Sequence, residues 1–176
     1  MTSHEGPASP PGHEVPEKKQ TSLGLYVTAR EAYEMWRAAP EQVHVIDVRT
    51  PEEYVFVGHA TMARNIPLVF MRYQWDAEKD EPVVEPNAAF VAKVQARHAL
   101  PDTLLLICRS GGRSAWAVNS LAKAGFTNAY NVIDGTEGDK VDDPGSAYHG
   151  KRMRNGWKNS GSPWTYDCDP DLLWTA

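Results

Sequence analysis

Only two of the 176 residues are cysteine. That count excludes a disulfide scaffold and a metal cluster held by several thiolates. No apolar run approaches the about 20 residues of a membrane-spanning helix. Residues 1–22 lack the apolar block that opens a secretory signal, and the cytoplasm is the expected default location. Excess positive charge is also missing: 18 Lys and Arg face 23 Asp and Glu, for a formal net charge of −5. Such a balance leaves no electrostatic footprint for nucleic acid. Any anion site must therefore be local, built from a few basic groups. The six histidines are scattered, with no His-x-x-x-His pair or similar ligand spacing. Neither a metal nor a cofactor is expected from that pattern.

What remains is a chain with 41% hydrophobic residues, 13 Gly and 13 Pro. It suits one core-forming domain with extensions. Residues 1–22 are rich in Pro, Gly and charge and are expected to be a disordered leader. Residues 23–135 carry the periodic pattern of the domain. Residues 136–176 form an irregular, aromatic-rich extension expected to pack on it, with Trp157, Trp164, Tyr166 and Trp174.

Within 23–135 short apolar runs alternate with helical segments. Leu25 to Val27 predicts a strand. Thr28 and Glu31 have capping-box spacing, so a helix follows to about Ala39 and stops at Pro40. Val43 to Ile46 is β-branched and apolar, a buried strand ending in Asp47-Val48-Arg49. Thr50 and Glu53 make a second capping box, with Pro51 at the first helical position. Gly58-His59 begins a turn, and Ala63 to Ile66 predicts a short strand. The charged, Pro-bounded stretch 76–86 reads as an exposed loop. Asn87 is expected to cap a helix reaching about Ala99. Thr103 to Ile107 is the strongest buried-strand signal and runs directly into Cys108. Ser114 to Ala124 has helical spacing, with Gly125 placed as its C-cap glycine. A last strand spans 128–132. Alternating strands and helices imply an α/β domain, a mainly parallel central sheet flanked by helices on both faces.

The run Cys108-Arg109-Ser110-Gly111-Gly112-Arg113-Ser114 carries the chemistry. It joins the end of a central strand to a helix start. Two successive glycines can turn backbone N–H groups inward as a nest. The helix N-terminus and the two arginines add positive potential, surroundings that favour thiolate over thiol. A thiolate is a nucleophile at neutral pH. The bland alternative is an inert core cysteine, but two arginines around a double glycine do not belong to a core position.

Several pieces together resemble a known family. Asp47-Val48-Arg49, Glu53-Tyr54, Gly58-His59-Ala60, Asn65-Ile66-Pro67, the 108–114 loop, Ala122 to Phe126 and Asp134-Gly135 are similar, in order and spacing, to the rhodanese-homology domain. The resemblance spans about residues 23–135. It implies a rhodanese fold and thiosulfate sulfurtransferase-type chemistry, in which Cys108 accepts a sulfane sulfur as a persulfide. The implied partners are a small anionic donor (thiosulfate or polysulfide) and a thiol, cyanide or protein acceptor, with no nucleic acid and no membrane. Four residues separate Cys108 from Arg113. Cysteine phosphatases and arsenate reductases of this fold use a loop one residue longer, so the resemblance favours sulfur over phosphate or arsenate. A regulatory or carrier module without turnover is the other alternative, and the intact loop argues against it.

The remaining positions carry two readings each. Arg109 and Arg113 are candidates for holding the anionic donor, although Arg113 equally suits a structural ion pair. Ser110 and Ser114 are hydrogen-bonding or capping residues. Asp47 and Arg49 brace the loop or contact substrate. His59 is a turn residue or a catalyst. Cys168 could resolve the persulfide by forming a disulfide, but Asp167 and Asp169 disfavour its thiolate. Lys151, Arg152 and Arg154 rim an anion pocket or simply lie in solvent.

Overall fold

In the computed structural model, which describes residues 14–175, β1 (Tyr26–Val27) leads into α1 (Ala29–Ala38), and β2 (Val43–Asp47) into α2 (Pro51–Val57). Both helices begin on the expected capping boxes: the Thr28 and Thr50 hydroxyls accept from the Glu31 and Glu53 N–H groups, and each carboxylate reaches back to the cap N–H. Four β segments follow: β3 (His59–Ala60), β4 (Arg64–Asn65), β5 (Val69–Asp76) and β6 (Glu81–Pro86). Then come α3 (Phe90–Gln95), β7 (Thr103–Ile107), α4 (Gly112–Lys123), β8 (Ala129–Val132) and β9 (Trp164–Thr165).

The central sheet has the order β1-β8-β7-β2-β4, with every pair parallel. The unbroken apolar run of β7 has a simple cause. Leu104 and Leu106 face one buried cluster, with Ile46, Phe90, Val118 and Leu121. Leu105 and Ile107 face the other, with Val27, Ala32, Val45 and Tyr130. A strand covered on both faces has no polar side to display.

Three expectations are corrected. The stretch 76–86 is not a loop, because β5 and β6 form an antiparallel hairpin whose turn spans 77–80. Aromatic and β-branched residues between Val69 and Val84 favour extended backbone, and a two-stranded ribbon can keep its charged residues in solvent. Helix α3 is also shorter than expected. Asn87 does not cap it: its side chain accepts from Ala89 N–H, closing a turn, and donates to the Pro67 carbonyl. The expected leader reaches into ordered structure. Residues 1–13 lie outside the described residues, but Glu17–Lys19 make a 3₁₀ turn and Lys19 is only 5% exposed. Its ammonium donates to the Ile133 carbonyl at 2.8 Å and to Asp139 at 3.1 Å, which offsets the desolvation of the charge.

The 136–176 segment crosses both faces. Trp157 is fully buried in the second cluster, with its indole N–H donating to the Pro163 carbonyl. β9 pairs with β3, and Trp174 packs against the first cluster beside Phe70. Asp134 ties the segment to the domain, accepting from the N–H groups of Ala29 and Gly156. Among the described residues no helix is long and apolar enough to cross a membrane.

Candidate active site

Cys108 directly follows β7, and α4 begins four residues later. The intervening turn folds back on itself because Gly111 adopts φ +102°, a conformation open to glycine. A Cβ at Gly111 would also lie 2.3 Å from the Ile133 carbonyl oxygen. Gly112 is an ordinary first helical residue, so only one of the two glycines is conformationally required. The turn aims Gly111 N–H at the Cys108 sulfur, 3.1 Å away. The N-terminus of the twelve-residue α4 adds its partial positive charge from the same side.

The Ser114 hydroxyl lies 3.3 Å from the sulfur and 2.6 Å from Asn131 Oδ1. It has one proton to donate. Asn131 Nδ2 donates to the carbonyls of Gly111 and Lys19, which turns Oδ1 towards Ser114. With a neutral thiol, S–H can donate to Ser114 Oγ while the hydroxyl proton stays on Asn131. With a thiolate, the hydroxyl proton is the one available to the sulfur. Ser114 is therefore a hydrogen-bonding partner of the sulfur as well as a first-turn residue of α4.

Cys108 is 2% exposed. Beside its loop, a cavity of about 350 Å³ is lined by Arg109, Arg113, Trp116 and Glu53, with Met71 and Val84 of the hairpin opposite. Arg109 is exposed, whereas Ser110 is half-buried and makes no side-chain hydrogen bond to a described residue. Arg113 faces Glu53 through two hydrogen bonds of 2.7 and 2.6 Å, the ion-pair arrangement of its two readings. Burial opposes ionisation of Glu53, but the hydrogen bonds and charge of Arg113 outweigh it and hold the carboxyl at about 2.

Asp47 and Arg49 lie one strand over. Asp47 pairs in register with Ile107, and Val48 N–H donates to the Ile107 carbonyl. Arg49 is fully buried; it donates to both Asp47 carboxylate oxygens and to the Gly58 carbonyl. Burial lowers its proton affinity, and the adjoining Asp47 charge more than restores it. Those contacts fit the bracing reading, at the strand end beside Cys108. His59 is buried too, with Nδ1 against the Tyr54 carbonyl at 2.8 Å and its ring stacked on Tyr54. Those contacts fit the turn reading. Cys168 is exposed and unpaired in a disulfide.

Residues outside the expected loop complete the surroundings. Arg109 contributes its backbone carbonyl to Glu137 and Gly138 N–H groups, and Cys108 its own to Thr136. Arg152 donates to the Gly138 carbonyl at 2.8 Å. Burial first, and then the nearby Arg109 charge, push its guanidinium below the usual range. Of the three basic residues weighed as an anion rim, Arg152 is the one beside Arg109, whereas Lys19 and Asn131 come from segments that carry no motif, and no spacing in the sequence links them to Cys108.

Comparison with known proteins follows the same lines. A family model described as Rhodanese-like domain matches residues 28–140. An uncharacterized protein of Rickettsia conorii is 30% identical over 141 residues, 80% of this chain and 96% of that one. Thiosulfate sulfurtransferase 16, chloroplastic, of Arabidopsis thaliana is 33% identical over 90 residues, 51% of this chain and 68% of that one. The crystal structure of Rv0390 from M. tuberculosis is similar with a TM-score of 0.62 at 29% identity, covering 80% of this chain and 96% of that one.

Proposed function

The chain belongs to the rhodanese-like domain family, and from that premise we propose that it is a sulfurtransferase whose Cys108 carries sulfur as a persulfide from thiosulfate or a polysulfide to a thiophilic acceptor. The observation that carries this reading is the Cys108 sulfur facing Gly111 N–H and the Ser114 hydroxyl at the start of α4. Both groups can stabilise negative charge on sulfur.

With thiosulfate, the Cys108 thiolate attacks the outer sulfur. A new sulfur–sulfur bond forms as the bond to the sulfite moiety breaks, and the electron pair leaves on sulfite. A thiolate or cyanide then attacks the terminal sulfur of the persulfide. Its product is a new persulfide or thiocyanate, and the Cys108 thiolate is restored. No external oxidant or reductant enters. Gly111 N–H and Ser114 stabilise the sulfur anion in both half-reactions. Exposed Arg109, with Arg152 nearby, supplies the cationic rim for the donor. Arg113 is engaged by Glu53 and acts as a brace. The cavity between loop and hairpin is the approach route for both substrates. This cationic rim and the short loop fit a sulfane donor better than a tetrahedral phosphate or arsenate ester held around the cysteine.

Intact mass spectrometry after treatment with thiosulfate and with polysulfide tests the reading. The chain and its Cys168→Ser variant should gain the mass of one sulfur atom, and Cys108→Ser should gain none. A Cys108→Ser variant that still produced thiocyanate from thiosulfate and cyanide would sink the proposal. Failure of the reduced chain to take up sulfur from either donor would point instead to a binding module without turnover.

A further inference from the structure

The end of the sheet away from Cys108 gathers three groups that the sequence keeps far apart. His44 is the second residue of β2, His98 lies in the turn after α3, and Asp102 immediately precedes β7. Their ligand atoms all lie within 4.8 Å of one another. The imidazoles of His44 and His98 are 4.6 Å apart between centroids. His98 Nδ1 is 3.8 Å from Asp102 Oδ2. The His98 side chain is 9% exposed, and neither ring nitrogen has a hydrogen-bond partner among the described residues. A buried imidazole with two unmatched nitrogens is costly. A metal–nitrogen bond would satisfy one of those two nitrogens.

We propose that His44, His98 and Asp102 form a binding site for a divalent transition-metal ion of the zinc class. Two imidazoles and one carboxylate are a donor set such ions accept. Zinc bonds of about 2.0–2.2 Å place tetrahedral ligands about 3.4 Å apart. The three ligand atoms, all within 4.8 Å of one another, stand at most about 1.4 Å farther apart than that. Asp102 is already oriented, because its carboxylate accepts from Ala99 N–H at 2.9 Å. His44 and His98 line a cavity of about 350 Å³ together with Trp36 and Met62, room for a further ligand beside them.

Arg64 and Arg97 also line that cavity. Their charge opposes a bare dication. Each guanidinium is turned to a backbone carbonyl, of Asp171 and of Lys93 respectively. An anionic group on the open position would offset the rest. His44 pairs in register with Leu104, four residues before Cys108, so the site lies roughly 13 Å along the strands from the sulfur. It is separate from the persulfide chemistry. The bound ion would clamp the turn after α3 to β2.

The test uses the full chain carrying Cys108→Ser and Cys168→Ser, which removes both thiols as competing ligands. Native mass spectrometry with Zn²⁺ and visible absorption with Co²⁺ should each report one ion per chain. In that background, His98→Ala and His44→Ala should each weaken Zn²⁺ affinity at least tenfold, with circular dichroism confirming the fold. Absence of a stoichiometric ion overturns the proposal. So does affinity unchanged in either folded histidine variant. If His98→Ala does not fold, His44→Ala alone decides.

Discussion

The Arg113 guanidinium and the Glu53 carboxylate meet through hydrogen bonds of 2.7 and 2.6 Å. The same Glu53 side chain accepts from Thr50 N–H and closes the capping box of α2. One carboxylate thus joins the start of α2 to the start of α4. An acid-stability profile follows. Glu53 is held at about 2 in the fold, below its ordinary 4.5. Its contribution is fully present above 4.5 and is lost as the pH falls through about 2. Urea midpoints of the chain and of Glu53→Gln should differ at neutral pH and converge between those two values. A constant difference across that range would contradict the assignment.

The two loop arginines should separate by substitution. Arg109→Gln should raise KM for thiosulfate roughly tenfold, the worth of one charged hydrogen bond, and leave the melting temperature unchanged. Arg113→Gln leaves Glu53 half-buried without its cation, so it should lower stability by about 1–3 kcal/mol. Steady-state kinetics beside thermal melts would distinguish them. Equal effects on KM would return Arg113 to donor binding.

Adjacent glycines should behave oppositely. Gly111→Ala meets φ +102° and a clash with the Ile133 carbonyl, and should cost about 1–3 kcal/mol or more. Gly112→Ala has only the Lys18 carbonyl within reach, at 4.0 Å, and sits in helical backbone. It should be neutral or stabilise by about 0.4–1 kcal/mol. Chemical denaturation of both variants reads the contrast directly.

Trp157 is fully buried among residues of the domain core. Trp157→Ala should cost about 3–5 kcal/mol. A chain ending at Gly135 should lose cooperative unfolding or expose an apolar face that binds a hydrophobic dye. Unchanged melting of either variant would contradict the packing described here.

Much was legible along the chain because its signals are local. Both capping boxes are fixed by residues three apart, and the β7 run is apolar because both sheet faces are covered. The Cys108 loop carries its own turn chemistry in Gly111. The hairpin was hidden because exposed strands keep charged residues and prolines, which blur the apolar signal. An asparagine serves a helix cap and a turn alike, so residue type alone does not place the start of α3.

The α/β class, the strand that runs into Cys108 and the glycine pair that turns the backbone after it are legible in the sequence alone; which of the two glycines is left-handed is not. Each depends on conformational preferences of neighbouring residues. That Arg113 faces Glu53, that Asn131 and Lys19 stand behind the loop, and that His44, His98 and Asp102 converge emerges only on folding. Those pairings depend on the order in which parallel strands lie side by side. Sheet order brings residues scores of positions apart into contact, and no local periodicity records it.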